Sequence, residues 1–304
     1  MRNFLSGFWE PFQLIFNIVA FPVRMVMRFN RFLNTEPDER PISEVFVDLA
    51  TNSDTRQMMW DQVEALRMHL FRALIFLAFC VIGSFWFSER LMEFLAKPVG
   101  GLEELQAIDP TEGVGVFMRV ALTAGIAIAS PYIAFEAWLF AAPGLHAREK
   151  KFGLIAIPLA TFLFILGMAF TIYLLLPPAI PFLEDFTRIQ QAWSAQRYFS
   201  LVTGLMIWIG LFFEFPLVIY VLSALGFVQP RILAQQWRLA IVAIAVIAAI
   251  VTPTIDPVNM GLVMLPMILL YFISIGLSFI AYAGRRNAHM MDADPKHMAG
   301  SGSA

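Results

Sequence analysis

"SLVTGLMIWIGLFFEFPLVIYVLSAL", Ser200 to Leu225, carries a single charged residue, Glu214, in twenty-six positions. Coiled at 1.5 Å per residue, such a run exceeds the ~30 Å hydrocarbon core of a bilayer. Hydrocarbon offers no partner to an open backbone amide, so a segment of this kind must be helical. Working outward, the same pattern recurs at about 70–87, 116–141, 153–178, 239–253 and 258–282, with charged connections between the runs. The sequence therefore predicts an all-α integral membrane protein with six transmembrane helices. Composition agrees, with 59% hydrophobic residues, 14% charged and a mean hydropathy of +0.70, against roughly 45–50% apolar in soluble domains. The fifth run, "LAIVAIAVIAAIVTP", is only fifteen residues, about 22 Å of helix. It is expected to thin the bilayer locally or to sit behind longer neighbours.

Charge placement sets the expected orientation. With the N-terminus in the cytoplasm, sixteen of the twenty-one Lys and Arg residues fall on the cytoplasmic side. The first outer connection is instead rich in acid, at Glu89, Glu93, Glu103, Glu104, Asp109 and Glu112. Both termini are thus expected to be cytoplasmic. The net charge of −2 argues for no nucleic-acid partner, and the lone Cys80, inside an apolar run, excludes an internal disulfide.

The chain divides into three expected regions. Residues 1–60 form an N-terminal extension, with an amphipathic segment over 4–33 at the membrane surface, a seventh span and disorder being the alternatives, followed by a polar, Pro-punctuated linker over 34–60. Residues 61–285 hold the six-helix membrane domain, and 286–304 a flexible cytoplasmic tail. No small-residue cleavage site follows Arg2, and Glu10, Pro11, Pro22 and Arg24 interrupt the first apolar run, so no signal peptide is expected.

The motifs of enzymes are missing. His69, His146, His289 and His297 all lie at span edges, in connections or in the tail, and no C-x-x-C, H-E-x-x-H or phosphate-cradling G-x-x-x-x-G-K-[ST] occurs. No catalytic site, metal or cofactor is expected. Transport, recognition or scaffolding remain.

Three stretches narrow these classes: "SPYIAFEAWLFAAPGLHAREKK" (Ser130–Lys151), "FEFPLV" (Phe213–Val218) and "TPTIDPV" (Thr252–Val258). Together with "ALRMHLFRAL" at the opening of the first span, they closely resemble TatC, the signal-recognition subunit of the twin-arginine translocase, from about residue 61 to 283. The resemblance implies a six-helix concave cup in the cytoplasmic membrane. Such a cup binds the twin-arginine signal peptides of folded cargo and works with TatA- and TatB-type single-span partners, in more than one copy, driven by the proton-motive force.

Adjacent guanidinium groups seek carboxylates, whose hydrogen bonds to Arg are charge-assisted and bidentate. Glu149 matches the glutamate of the family's first cytoplasmic loop and is the leading residue for that role, with Lys150 beside it in the candidate set; a solvated loop pair is the plainer alternative. Phe140 and Pro143 match the aromatic-Ala-Pro exit from the second span and would shape the pocket. At the first span the chain departs from the family: where relatives read close to His-Leu-Glu-Glu-Leu-Arg, it reads Gln62-Val63-Glu64-Ala65-Leu66-Arg67. Ala65 thus replaces a glutamate assigned to twin-arginine contact. Asp61, one turn earlier, or Glu64 could substitute, or the contact is lost; Arg67 matches the family arginine.

Glu214 sits where a buried carboxylate is costly, about 2.5–3.5 kcal/mol on insertion scales, so it should face protein, water or a partner. It matches the fourth-span glutamate of the family, where the resemblance implies contact with a polar side chain of a partner helix; internal satisfaction is the alternative. Pro216 removes a backbone donor just after it. Glu136, four residues after Tyr132, has a network role or a substrate contact open to it. Arg119 can snorkel to the outer interface, and Asp256 is a helix N-cap or a family match displaced by one inserted residue. The alternative function is a proton-coupled secondary transporter of a small solute, using Glu214 and Glu136 as a relay. That reading needs inverted repeats, and the two halves show no persuasive match.

Overall fold

The computed structural model describes residues 53–144, 147–185, 193–224, 226–252 and 257–293. Its helices are α1 (Ser53–Ser84), α2 (Ser88–Ala96), α3 (Glu112–Ala141), α4 (Ala147–Phe170), α5 (Leu176–Asp185), α6 (Ala195–Ala224), α7 (Pro230–Gln235), α8 (Trp237–Val251) and α9 (Pro257–Ala293). A 3-10 turn, Phe85–Phe87, joins α1 to α2, and a π turn, Thr171–Leu175, joins α4 to α5. Five helical stretches are long and apolar enough to cross a membrane: Gln62–Val99, Glu112–Ala141, Gly153–Phe182, Ala195–Ala224 and Met260–Ala283. The sixth apolar run is α8, fifteen residues long. Each apolar run picked out from the sequence is helical over most of its described residues.

Several boundaries differ from the sequence reading; α9 runs to Ala293, into the stretch read as flexible tail, and α7 lies in the connection before the fifth span. Helix α1 already starts at Ser53, inside the stretch read as linker, because Ser53–Trp60 contains neither Pro nor Gly to stop it. Residues 88–96, read as outer connection, form α2. Ser88, Leu95 and Ala96 are buried there and Leu91, Met92 and Phe94 pack on the core, while Glu89, Arg90 and Glu93 interleave with them. An average over such an amphipathic turn looks polar, although one face of it is core. A two-residue parallel pairing, β1 (Leu105–Gln106) with β2 (Trp193–Ser194), is the single exception to helix and turn among the described residues. The amphipathic segment over 4–33, and residues 294–304 of the tail, lie outside the described residues.

The chain separates into two compact units, Met1–Arg67 with Ala137–Ile155 and Met68–Glu136 with Ala156–Ala304. In the larger unit the core centres on α6, where Tyr198, Phe199, Val202 and Ile209 are shut off from the surface, together with Leu176 and Ile180 of α5, Val120 of α3 and Val263 of α9. Tyr198 keeps its hydroxyl satisfied by donating to the Leu95 carbonyl at 2.7 Å. Helix α6 packs broadly on α9, joined deep in the contact by Ser223 and Ser278, whose hydroxyls are 2.6 Å apart.

Helices in lipid gain little from burying apolar surface against one another, so close backbone approach matters more. Gly167 of α4 and Gly210 of α6 provide it: a Cβ at 167 would lie 2.8 Å from the Gly210 Cα. Helices α1 and α3 run antiparallel, with Val81 against Gly125, the Ser84 hydroxyl donating to the Ala121 carbonyl at 2.7 Å, and Phe76 against Tyr132 at 4.3 Å between ring centroids.

Candidate functional site

Glu214 occupies the face of α6 that turns toward α8. Between these helices lies a groove of about 400 Å³, walled by Trp208, Leu211, Phe215 and Val218 of α6 and by Ile247 and Ile250 of α8. Among the described residues Glu214 supplies its only ionisable side chain, and it is partly buried there. Among the described residues nothing hydrogen-bonds to its carboxylate or pairs with it. The buried Pro216 lies inside α6 and deprives the Phe212 carbonyl, at the same groove, of its usual i+4 donor. A carboxylate in an apolar wall, next to a backbone acceptor short of its donor, is suited to a donor arriving from outside the chain.

A second polar node lies between α1 and α3. The Tyr132 hydroxyl donates to Glu136 Oε1 at 2.6 Å, and His69 Nδ1 lies 2.5 Å from Glu136 Oε2. Glu136 is only 4% exposed, and the Arg72 guanidinium adds positive potential to it. At the far end of α3, the Arg119 guanidinium donates to the Ser200 hydroxyl, and the buried Glu112 carboxylate accepts from Ser194 at 3.3 Å.

The smaller unit holds all seven residues singled out for peptide contact. Glu64 and Arg67 are exposed and pair with each other at 3.2 Å. Phe140 is 39% exposed at the end of α3, and Pro143 is exposed in the 3-10 turn Ala142–Gly144 that follows. Lys150, by contrast, is buried. It lies three residues before Gly153, whose face of α4 meets the Trp138 indole so closely that a Cβ at 153 would overlap the ring, and a side chain on that face turns inward. The backbones of Asp61 and Glu149 lie in α1 and α4, but their side chains are outside the described part of the structure, as is the whole of Asp256.

Comparison with known proteins places this geometry. Residues 61–266 match the family model for the Sec-independent protein translocase protein TatC. The chain belongs to the TatC family. It is 33% identical to TatC of Deinococcus radiodurans, over 72% of this chain and 85% of that protein, and 32% identical to TatCy of Bacillus subtilis, over 73% and 88%. A crystal structure of the twin-arginine translocase receptor TatC superposes with a TM-score of 0.66 at 33% identity, covering 72% of this chain and 99% of that one. The resemblance read from the "FEFPLV" and "FAAPGLHAREKK" stretches therefore stands, and a TatC translocase component is a protein-transport subunit. That membership does not favour the solute-transporter alternative.

In this TatC chain, sequence reasoning singled out Glu136 but missed its partner. His69 looked like one more edge histidine, sixty-seven residues away from Glu136. The i, i+4 spacing of Tyr132 and Glu136 was the one local signal of the node.

Proposed function

We propose that this chain is the twin-arginine signal-peptide receptor and core subunit of a translocase that exports folded proteins on the proton-motive force. In this reading it is a six-span cup of the cytoplasmic membrane, in more than one copy, with both termini in the cytoplasm. The observation that carries the reading is the coverage of 99% of a solved twin-arginine receptor by a chain that keeps its fold. The peptide lip is formed by Glu149, with Asp61, Glu64, Arg67, Phe140 and Pro143. Glu149 accepts the paired guanidinium groups, since planar bidentate hydrogen bonds favour Arg over Lys at a carboxylate. The Glu214 groove receives the helix of a TatA- or TatB-type single-span partner, whose polar side chain meets the carboxylate. That Glu214 has no partner among the described residues supports that assignment.

Photocrosslinking of an Arg-Arg signal peptide and its Lys-Lys counterpart to the purified protein tests the receptor role. The Arg-Arg peptide should label about tenfold more strongly, the scale of one lost charge-assisted hydrogen bond, and Glu149→Ala should erase the difference. Equal labelling by both peptides, unchanged in Glu149→Ala, refutes the assignment.

A further inference from the structure

Helix α1 is the least supported of the membrane helices. In the span it opens, Gln62–Val99, only 6% of the apolar window is buried, against 33–39% in the other four long spans. A helix so poorly covered is held by discrete contacts, and among the described residues those to α3 include two levels. At one, Val81 and Ser84 meet Gly125 and Ala121; at the other, Phe76 and His69 meet Tyr132 and Glu136. The second level is polar as well as apolar, and its carboxylate is almost fully buried yet bonded on both oxygens. Removing either donor takes a hydrogen bond from a buried carboxylate and leaves it to the potential of the Arg72 guanidinium, which weakens the hold on α1.

We propose that the His69–Glu136–Tyr132 contact is a positioning clasp: it pins α1 to α3 at the start of the span, and through the unbroken helix it keeps residues 62–67 helical, the state in which Glu64 and Arg67 meet the peptide. The proposal rests on the receptor reading for its consequence, but not for the contact itself. In this role the three residues need no contact with the peptide. They act through the helix, which runs without a break from Gln62 through His69. Such a clasp has a particular use in this chain, where Ala65 supplies no carboxylate: with fewer direct contacts to the peptide, the remaining ones depend more on a fixed helix.

Hydrogen–deuterium exchange in lipid nanodiscs, run alongside Arg-Arg peptide crosslinking, tests it. His69→Leu and Glu136→Leu should each raise amide exchange over residues 62–72 by about tenfold and cut peptide labelling by a similar factor, while residues 77–84 stay unchanged. His69→Asn keeps an N–H donor close to the position of Nδ1 and should restore both readouts. Tyr132→Phe keeps the ring against Phe76, loses one hydrogen bond and should raise exchange about threefold; it decides the matter if the leucine variants do not fold. Unchanged exchange in the leucine variants, or in Tyr132→Phe where those fail, overturns the clasp. Raised exchange with unaltered labelling overturns its positioning role. Wild-type protein that labels equally with Arg-Arg and Lys-Lys peptides refutes the receptor reading instead, and the exchange data then still decide whether the clasp exists.

Discussion

Replacing Glu214 by leucine should make the isolated protein more stable and the working one worse. The carboxylate is half-buried among Trp208, Leu211, Phe215, Val218, Ile247 and Ile250, with no partner among the described residues. Insertion scales put an acidic side chain at mid-membrane at about 2.5–3.5 kcal/mol, and with the side chain only partly buried a fraction of that, about 1–2 kcal/mol, is recoverable on substitution. Leucine also adds apolar contact along both walls. Thermal unfolding in one detergent should therefore shift upward in Glu214→Leu. Capture of a single-span partner should fall, because a hydrogen bond between membrane helices contributes about 1–2 kcal/mol, or roughly 5- to 30-fold in affinity. Glu214→Gln keeps an acceptor and should retain most of the capture. A drop in stability of Glu214→Leu would show that the acid is satisfied within its own chain, and unchanged partner capture would remove the contact; either result refutes the reasoning.

Other substitutions probe the frame around these sites. Gly167→Val should force α4 and α6 apart at Gly210 and cost about 1–3 kcal/mol, the scale of overpacking, measured as a lower unfolding temperature. Tyr198→Phe strips the Leu95 carbonyl of its donor in a fully buried setting, and about 1–3 kcal/mol of destabilisation is expected in the same assay. Glu64→Ala breaks only the exposed pair with Arg67, so stability should change by less than about 0.5 kcal/mol; any loss of peptide labelling would then report direct contact. Gly153→Ala should displace the Trp138 indole and appear as a shift in tryptophan fluorescence.

Much of this protein was legible from the chain alone. The six apolar runs became helices because a bilayer leaves a backbone no other way to satisfy its amides, a constraint that acts on each segment separately. Glu214 announced itself the same way, since one charge in an otherwise apolar span must answer for its cost. The spacing of Tyr132 and Glu136 likewise lies within one helix and reads as a contact. What needed the tertiary structure were relations between segments. That α2 is core and not connection depended on what its apolar face meets. That Lys150 turns inward depended on Gly153 lying against Trp138. That His69 answers Glu136, and that no described residue answers Glu214, depended on which helices pack side by side. Local periodicity encodes which face of a helix is apolar, but the partner of a polar atom is set by distances across the fold, and these exist only once the helices have come together.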